Sequence, residues 1–362
     1  MVEVRRVILI LAVLCLLVLP VRAEQIDEDT GIDISGAEEG LPQDVLDELP
    51  QPGQTTDFWS GAKELFRQAL RKSSETFRSG LLLCAILLAI VTLCSVAGVP
   101  SGKHGAAAVT AAGAIGICTA VLSTFQSMIS LATDTVEKIA DYSACLMPVM
   151  ASAAAMSGKM TSGTALYAGT LLFAELLMQL ISKLLVPAVF FYLAVSTAEA
   201  ALAGEMLAEL RSFVGWLISK LLRIIMFGFL GYMSLTGVIS GAADAAAVKA
   251  TKAAVSGMVP VVGGIISDAS ETLLASASAL KSSVGIFGML AVLGVCLTPF
   301  LRVGIHYLLL KLTAAVSGVV GSKPHVALLK NYSTAMGYLL AMCGSCGMLL
   351  LISLVCFLKV AA

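Results

Sequence analysis

Long apolar stretches with few charges constrain this chain more than any other feature of its sequence. Asp, Glu, Lys and Arg make up only 13% of the residues, against about 25% in ordinary soluble domains. Several uninterrupted stretches reach the roughly 20 residues that a helix needs to cross a bilayer. Because backbone amides in hydrocarbon must be satisfied within their own segment, these stretches are expected to be helices. The sequence therefore predicts an all-α, polytopic helical membrane protein with about 6–8 transmembrane segments.

Residues 1–23 have the three parts of a secretory signal peptide. Arg5 and Arg6 give a basic start, an apolar core follows, and Val21-Arg22-Ala23 ends in a small residue. Cleavage after Ala23 is favoured over retention as a first anchor, and it would leave the mature N-terminus outside the cytoplasm. Residues 24–56 are predicted to form an acidic, disordered extracytoplasmic segment, because residues 24–62 hold eleven acids and no basic residue.

Residues 57–79 predict an amphipathic basic helix ahead of the first span. Lys63, Arg67 and Arg71 are four residues apart and share one helix face, whereas Trp59 and Phe66 belong to another. Two interpretations stay open. The helix lies flat at the membrane interface, or it packs against other parts of this chain.

Residues 80–362 are predicted to form a multi-span membrane domain. The clearest span is Gly80–Val99, and the other candidates cover residues 106–132, 163–181, 184–203, 213–241, 284–310 and 334–358. Polar residues from Asp134 to Asp141 predict a connection, and the short apolar stretch 143–158 is predicted to be re-entrant. The positive-inside rule gives opposite orientations depending on whether residues 253–266 cross, so the side of the C-terminus stays open.

Catalytic and metal-binding patterns are not found in the sequence. The three histidines are far apart, and no phosphate-binding loop or zinc-protease motif occurs. Cys343-Gly-Ser-Cys346 has the spacing of a redox or metal motif, but it lies in a predicted span without a second pair. Helix packing by small residues explains it better. We expect no catalytic residue, no metal site, no cofactor and no nucleic-acid partner.

A polar stripe within an apolar segment is the first candidate functional site. Glu175, Gln179 and Lys183 are spaced four apart and therefore lie along one helix face. Ionisable groups within spans are costly and usually face a partner or a cavity. The stripe predicts a water-lined path or an ion pair between helices, such as Glu175 with Lys220 or Arg223. Alternatively, Lys183 simply extends to the interface at a span end.

An apolar segment interrupted by glycine and proline is the second candidate site. Backbone that breaks at membrane depth is tolerated only where it is buried in protein or lines a cavity. The positions concerned are Gly257, Pro260, Gly263, Gly264, Asp268 and Glu271.

The same segment carries a family resemblance. Residues 254–264 read Ala-Val-Ser-Gly-Met-Val-Pro-Val-Val-Gly-Gly, and Ser-Asp-Ala-Ser-Glu-Thr follows at 267–272. With the export signal, acidic tail, basic helix and multiple spans, this sequence resembles the stage III sporulation protein AE family. The resemblance implies a multi-pass protein in the mother-cell membrane around the forespore of an endospore-forming bacterium. It offers no catalytic residue to carry over.

The resemblance also implies a function and partners. The protein would be an integral membrane subunit of a channel-like complex, related to secretion machines, that links mother cell and forespore and supports forespore development. Its partners would be the other stage III sporulation membrane and ring proteins, an associated ATPase, a forespore-side membrane protein and membrane lipid. An assembly platform that contributes to the conduit is the leading interpretation. A permease with its own small-molecule path, and a scaffold without a path, are the alternatives.

Overall fold

The architecture is helical throughout the part of the chain that the structure describes. The structure is a computed structural model and describes residues 41, 43–46, 58–98, 102–156, 160–202, 205–235 and 283–361. In these ranges there is no strand, and the helices in chain order are α1 Gln43–Leu46, α2 Phe58–Lys72, α3 Ser74–Gly98, α4 Gly102–Met156, α5 Met160–Leu180, a π-helical turn Ile181–Leu185, α6 Val186–Leu202, α7 Glu205–Leu235, α8 Ser283–Val320 and α9 Lys323–Ala361.

Six stretches of these helices are long and apolar enough to cross a membrane. They are Ser74–Gly98, Gly105–Ser152, Thr164–Leu202, Met206–Ser234, Phe287–Val320 and Lys323–Phe357. The chain is therefore a polytopic helical membrane protein, and the predicted fold class is confirmed.

Several helices are much longer than a bilayer is thick. Helix α4 has 55 residues, which at 1.5 Å per residue is about 80 Å. Helices α8 and α9 have 38 and 39 residues, or about 58 Å each. The hydrocarbon core is only about 30 Å thick. A single perpendicular crossing therefore accounts for about half of α8 and of α9, and for little more than a third of α4.

The predicted polar connection at 134–141 and the re-entrant segment at 143–158 are both wrong, because α4 runs through them to Met156. Asp134, Glu137, Lys138 and Asp141 are all exposed. They are three or four residues apart, so they share one face. The opposite face is buried through Val136, Ile139 and Tyr142. The charges thus mark an amphipathic stretch of one helix.

The two spans predicted at 163–181 and 184–203 are joined in one continuous helix from Met160 to Leu202. Pro187 has no amide hydrogen and would disturb a regular α-helical turn before it. The π-helical turn accommodates this change, since the Val186 amide donates to the Ile181 carbonyl five residues earlier.

Helix α9 is the centre of the bundle. In its most apolar window 94% of the residues are buried. It forms an antiparallel hairpin with α8, and α4, α5, α6 and α7 also pack against it. Helix α3 lies on α8 beside this hairpin.

A buried histidine fixes one end of the hairpin. His325 Nε2 lies 3.0 Å from the Thr110 carbonyl oxygen of α4, and its Nδ1 lies 2.9 Å from Ser322 Oγ. Nearby, Ser95 Oγ of α3 donates to the Val320 carbonyl at 2.6 Å. These bonds tie α3, α4 and the α8–α9 turn together, and they account for His325 as a structural residue.

Helix α2 is docked on the bundle at the other end. A Cβ atom on Gly61 would lie 2.7 Å from Leu290 Cδ1 of α8, so the absence of a side chain allows the close approach. Phe58, Leu65 and Ala69 are buried on the same face. Of the two interpretations left open for this helix, the structure supports packing against the chain itself.

Candidate functional site

Contacts between helices divide the bundle into two halves along its axis. We call the end near the α8–α9 turn the turn half; it comprises residues 80–98, 105–130, 186–202, 205–219, 302–320 and 323–341. The opposite end is the distal half, with residues 43–46, 58–70, 139–156, 160–174, 225–235, 283–298 and 343–361. Thr170 Oγ1 donates to Ser353 Oγ at 2.9 Å in the distal half, whereas Thr197 Oγ1 and Tyr332 Oη lie 2.7 Å apart in the turn half.

Charged and polar side chains gather at the boundary between the halves. Gly304 lies beside Leu340, and Gly215 beside Tyr338. Residues that follow these contacts toward the distal half therefore lie at similar heights along the bundle axis. With 1.5 Å of rise per residue, the group spans about 10–15 Å of the axis. We call it the polar belt; its members are Arg71, Lys72, Glu75, Asp134, Lys138, Glu175, Gln179, Lys183, Lys220, Arg223 and Arg302.

The outer surfaces of the two halves differ. Large apolar side chains are exposed around most of the turn half, with Leu82 at 65% and Leu93 at 69%. Others there are Leu81, Ile86, Val96, Ile115, Leu122, Phe190, Phe191, Leu202, Met206, Leu210, Phe213, Trp216, Leu312, Val316, Val319 and Val320. Among the described side chains of the distal half, only Leu46, Leu70 and Leu172 are in this class.

The distal half presents charged and small residues instead. Lys63, Glu64 and Arg67 of α2 are exposed, and Arg67 Nη1 donates to Glu64 Oε2 at 2.9 Å. Elsewhere the exposed positions of this half include Ala144, Ser152, Ala168, Gly228 and Gly231. Lys63, Arg67 and Arg71, which the sequence predicts to share one helix face, are all exposed.

The predicted stripe Glu175, Gln179 and Lys183 lies on the outside of the bundle, in the polar belt. All three residues are exposed, and Gln179 Nε2 donates to Glu175 Oε1 at 2.6 Å. Lys183 lies within the π-helical turn. Among the described residues, no ion pair joins Glu175 to Lys220 or Arg223, so the pairing suggested from the sequence is not formed. The other predicted positions, from Gly257 to Glu271, lie outside the described residues.

A cavity that sequence reasoning missed opens in the polar belt. It has a volume of 560 Å³ and lies between the α2–α3 junction, the middle of α4 and the middle of α8. Among the described residues, its charged lining comprises four basic and two acidic ones: Arg71, Lys72, Lys138, Arg302, Glu75 and Asp134. Val45 of α1 also lines it, above Gly294.

The cavity has an excess of positive charge that the described acids do not neutralise. Arg302 Nε is buried and has no hydrogen-bond partner among the described residues. In the same part of the chain, no ion pair within 4 Å joins Arg71, Lys138 or Arg302 to Glu75 or Asp134. Since a desolvated cation is costly without an anion beside it, this arrangement can bind an anionic group.

An interhelical ion pair lies in the turn half and was also missed. Arg211 Nε of α7 donates to Glu199 Oε2 of α6 at 2.6 Å, and each side chain is 22% exposed. The two residues are twelve positions apart, so no helix periodicity could have paired them. The pair links the C-terminal part of α6 to the N-terminal part of α7.

The cysteines occupy packed positions. Cys343 and Cys346 are buried and free, and Cys296 Sγ lies 3.0 Å from where a Cβ of Gly347 would be. No group of three or more His, Cys, Asp or Glu residues is placed to hold a metal ion anywhere in the described ranges.

Comparison with known proteins identifies the family. The model of the family described as stage III sporulation protein AE matches residues 43–361. The chain is also 23% identical over 220 residues to the stage III sporulation protein AE of Bacillus subtilis (strain 168), a match covering 61% of this chain and 55% of that relative. No solved structure is significantly similar to the chain. From the extent of the family match, this chain belongs to the stage III sporulation protein AE family.

Proposed function

We propose that this protein is an integral membrane subunit of the channel-like sporulation complex that links mother cell and forespore, where it acts as an assembly platform. Membership of a sporulation family and six helices able to cross a membrane support this role. It would reside in the mother-cell membrane around the forespore and contribute binding surfaces, with no catalytic chemistry of its own.

The bilayer, in this proposal, surrounds only the turn half. Placing all of α8 or α9 inside about 30 Å of hydrocarbon would need a tilt of about 60°, whereas membrane helices tilt by about 0–40°. Most of the exposed large apolar side chains among the described residues lie in the turn half. The polar belt then falls at the headgroup level, where charged side chains are readily solvated.

The distal half consequently projects from the membrane and offers a docking surface. The contrast between its exposed charged and small residues and the apolar exterior of the turn half is the observation that carries the proposal. Lys63 and Arg67 on α2 give this surface a basic face suited to acidic regions of partner proteins. The partners we propose are the other stage III membrane and ring proteins, an associated ATPase and a forespore-side membrane protein.

A permease with a path through this single chain gains no support from the described residues. Glu175, Gln179 and Lys183 lie on the outer surface, and the centre of the bundle is filled by α9. A contribution to a conduit would therefore be made together with other subunits. The positions from Gly257 to Glu271 remain candidates for such a contribution.

Partner recovery tests the platform proposal. We expect Lys63→Gln with Arg67→Gln to lower several-fold the amount of the other stage III membrane proteins recovered with this chain from sporulating cells. The matched control is Lys323→Gln with Lys330→Gln, which removes the same charge from exposed positions at the opposite end. Equal membrane levels of all variants show that insertion is intact. Unchanged recovery with the α2 variant, or an equal loss with the control, would contradict the proposal.

A further inference from the structure

We propose that the cavity in the polar belt binds the phosphate-bearing headgroup of an anionic membrane lipid. The proposal rests on the placement of the bilayer around the turn half. It adds a specific ligand site to what is otherwise a docking platform.

The charge of the cavity selects the chemical class of the ligand. Among the described residues of the lining, Arg71, Lys138 and Arg302 face two acids, Glu75 and Asp134, which leaves these five residues with a net charge of +1, and Lys72 lies beside them. Arg302 supplies a guanidinium, whose planar donors suit a phosphate. Its Nε is buried and has no partner among the described residues, so an anion in the cavity would be bound by the other N–H groups of the guanidinium.

The position of the cavity favours a lipid over another anion. It lies in the polar belt, at the height where headgroups meet the protein. In α3, Phe77, Leu81 and Leu82 follow the cavity residue Glu75 and are exposed on the outer surface at 49%, 45% and 65%. A lipid with its phosphate in the cavity could therefore lay its acyl chains along these apolar side chains. Basic pockets between membrane helices are known to bind lipid headgroups in this way.

The size of the cavity is also suitable. Its 560 Å³ lies within the range of about 300–1,000 Å³ found for small-molecule sites. A phosphoglycerol headgroup can enter such a volume with its phosphate near Arg302 and Lys138. The hydroxyl groups of the glycerol could donate to Glu75 or Asp134, which gives the two acids of the lining a role.

Lipid-dependent stabilisation of the purified full-length protein tests the site. The thermal unfolding midpoint in detergent is measured while phosphatidylglycerol, phosphatidylethanolamine or inorganic phosphate is added. We expect phosphatidylglycerol to raise the midpoint in a saturable manner, with little effect from the other two. Lys138→Gln with Arg302→Gln should raise the apparent dissociation constant for phosphatidylglycerol about 30-fold, since two basic contacts are lost.

Matched variants keep the test specific. Lys220→Gln with Arg223→Gln removes two cations of the polar belt outside the cavity and should leave the dissociation constant within about twofold. Lys138→Gln alone, at an exposed position, should show part of the effect if the double variant fails to fold. An equal loss in the Lys220/Arg223 variant would mean general charge attraction and overturn the proposal.

The remaining outcomes identify other occupants. Equal stabilisation by inorganic phosphate would assign the cavity to a free anion, and equal stabilisation by phosphatidylethanolamine would remove the preference for anionic lipid. Phosphatidylglycerol binding that arises only after Asp47→Asn with Glu48→Gln would assign the cavity to the acidic segment of this chain. Each of these results overturns the proposal. Because the measurement is made in detergent, it can fail while the platform function, tested by partner recovery, still holds.

Discussion

The turn half and the distal half are built from the same helices, yet they meet different surroundings. Helices α4, α8 and α9 pass through both halves and are apolar along most of their length. In the turn half their neighbours α3, α6 and α7 expose leucine, phenylalanine and valine, whereas in the distal half α2 covers α8 with a charged outer face. Hydropathy alone cannot separate the halves. The outward-facing residues can, because only they meet lipid or water.

The largest expected change in unfolding free energy is for two aromatic pairs, one in each half. Phe229 packs edge-on against Phe173 in the distal half, and Phe125 against Tyr332 in the turn half, with ring centroids 5.6 and 5.8 Å apart. Phe229→Ala should lower the free energy of unfolding by about 3–5 kcal/mol. Phe125→Ala should lower the free energy of unfolding by about 1.5–3 kcal/mol less than Phe229→Ala does. In the turn half the surroundings are lipid tails, which are as apolar as the core, so there is little free energy of transfer from water to lose. Reversible unfolding in lipid bicelles measures both.

The contrast in surface is tested by placing a lysine in each half. Ile86 lies midway along α3 and is exposed in the turn half, and Ala144 is exposed on α4 in the distal half. Ile86→Lys should cost about 2.5–3.5 kcal/mol, the value for a lysine at the centre of a membrane helix. Ala144→Lys should stay within about 0.5 kcal/mol of the parent. Unfolding free energies after reconstitution compare the two variants, and an equal cost would break the comparison.

Breaking an ion pair in each half should change the free energy of unfolding by an intermediate amount. Glu199 and Arg211 are 22% exposed in the turn half, whereas Glu64 and Arg67 are about half exposed on α2, at 48% and 54%. Arg211→Gln should cost about 1–3 kcal/mol, because it leaves a shielded carboxylate without its partner. Arg67→Gln should cost only about 0.2–0.5 kcal/mol. Adding Glu199→Gln to Arg211→Gln should recover part of the loss, and a double variant no better than the single one would count against a coupled pair.

The smallest effect is expected at the polar stripe. Glu175→Gln should change the free energy of unfolding by less than about 0.5 kcal/mol, because Glu175 is exposed in the polar belt and Gln179 can still donate to the new side chain. Spore yield should stay near that of the parent. A severe loss of spores with normal membrane levels and normal partner recovery would instead favour a transport path through Glu175.

The sequence was sufficient for the helical membrane fold and for the shared face of the basic residues of α2. Apolar length predicts spans, and the four-residue spacing of Lys63 and Arg67 predicts a shared face. The sequence did not, however, predict how far the helices extend. Asp134 and Lys138 suggested a break, because residue chemistry alone does not distinguish a loop from the exposed side of a helix whose other side, through Val136 and Ile139, is buried.

The cavity could not be predicted for a related reason. Arg71, Lys138 and Arg302 come from three helices far apart in the chain, and only tertiary packing brings them together. In the sequence, Arg302 lies four residues before His306, on the same helix face. The structure shows His306 Nδ1 3.0 Å from the Arg302 carbonyl oxygen, so this contact involves the backbone of Arg302 and leaves its guanidinium available to the cavity.

A depth measurement on one helix tests most directly whether the bilayer covers only the turn half. Leu122 and Ala144 are both exposed on α4, 22 residues apart and on opposite sides of the polar belt. Single cysteines at these positions, in a variant lacking the nine native cysteines, would carry nitroxide labels in lipid vesicles. We predict that the label at Leu122 is relaxed mainly by oxygen, which concentrates in hydrocarbon, and the label at Ala144 mainly by a water-soluble nickel chelate. Oxygen-dominated relaxation at both positions would place the distal half inside the bilayer and contradict the proposed architecture.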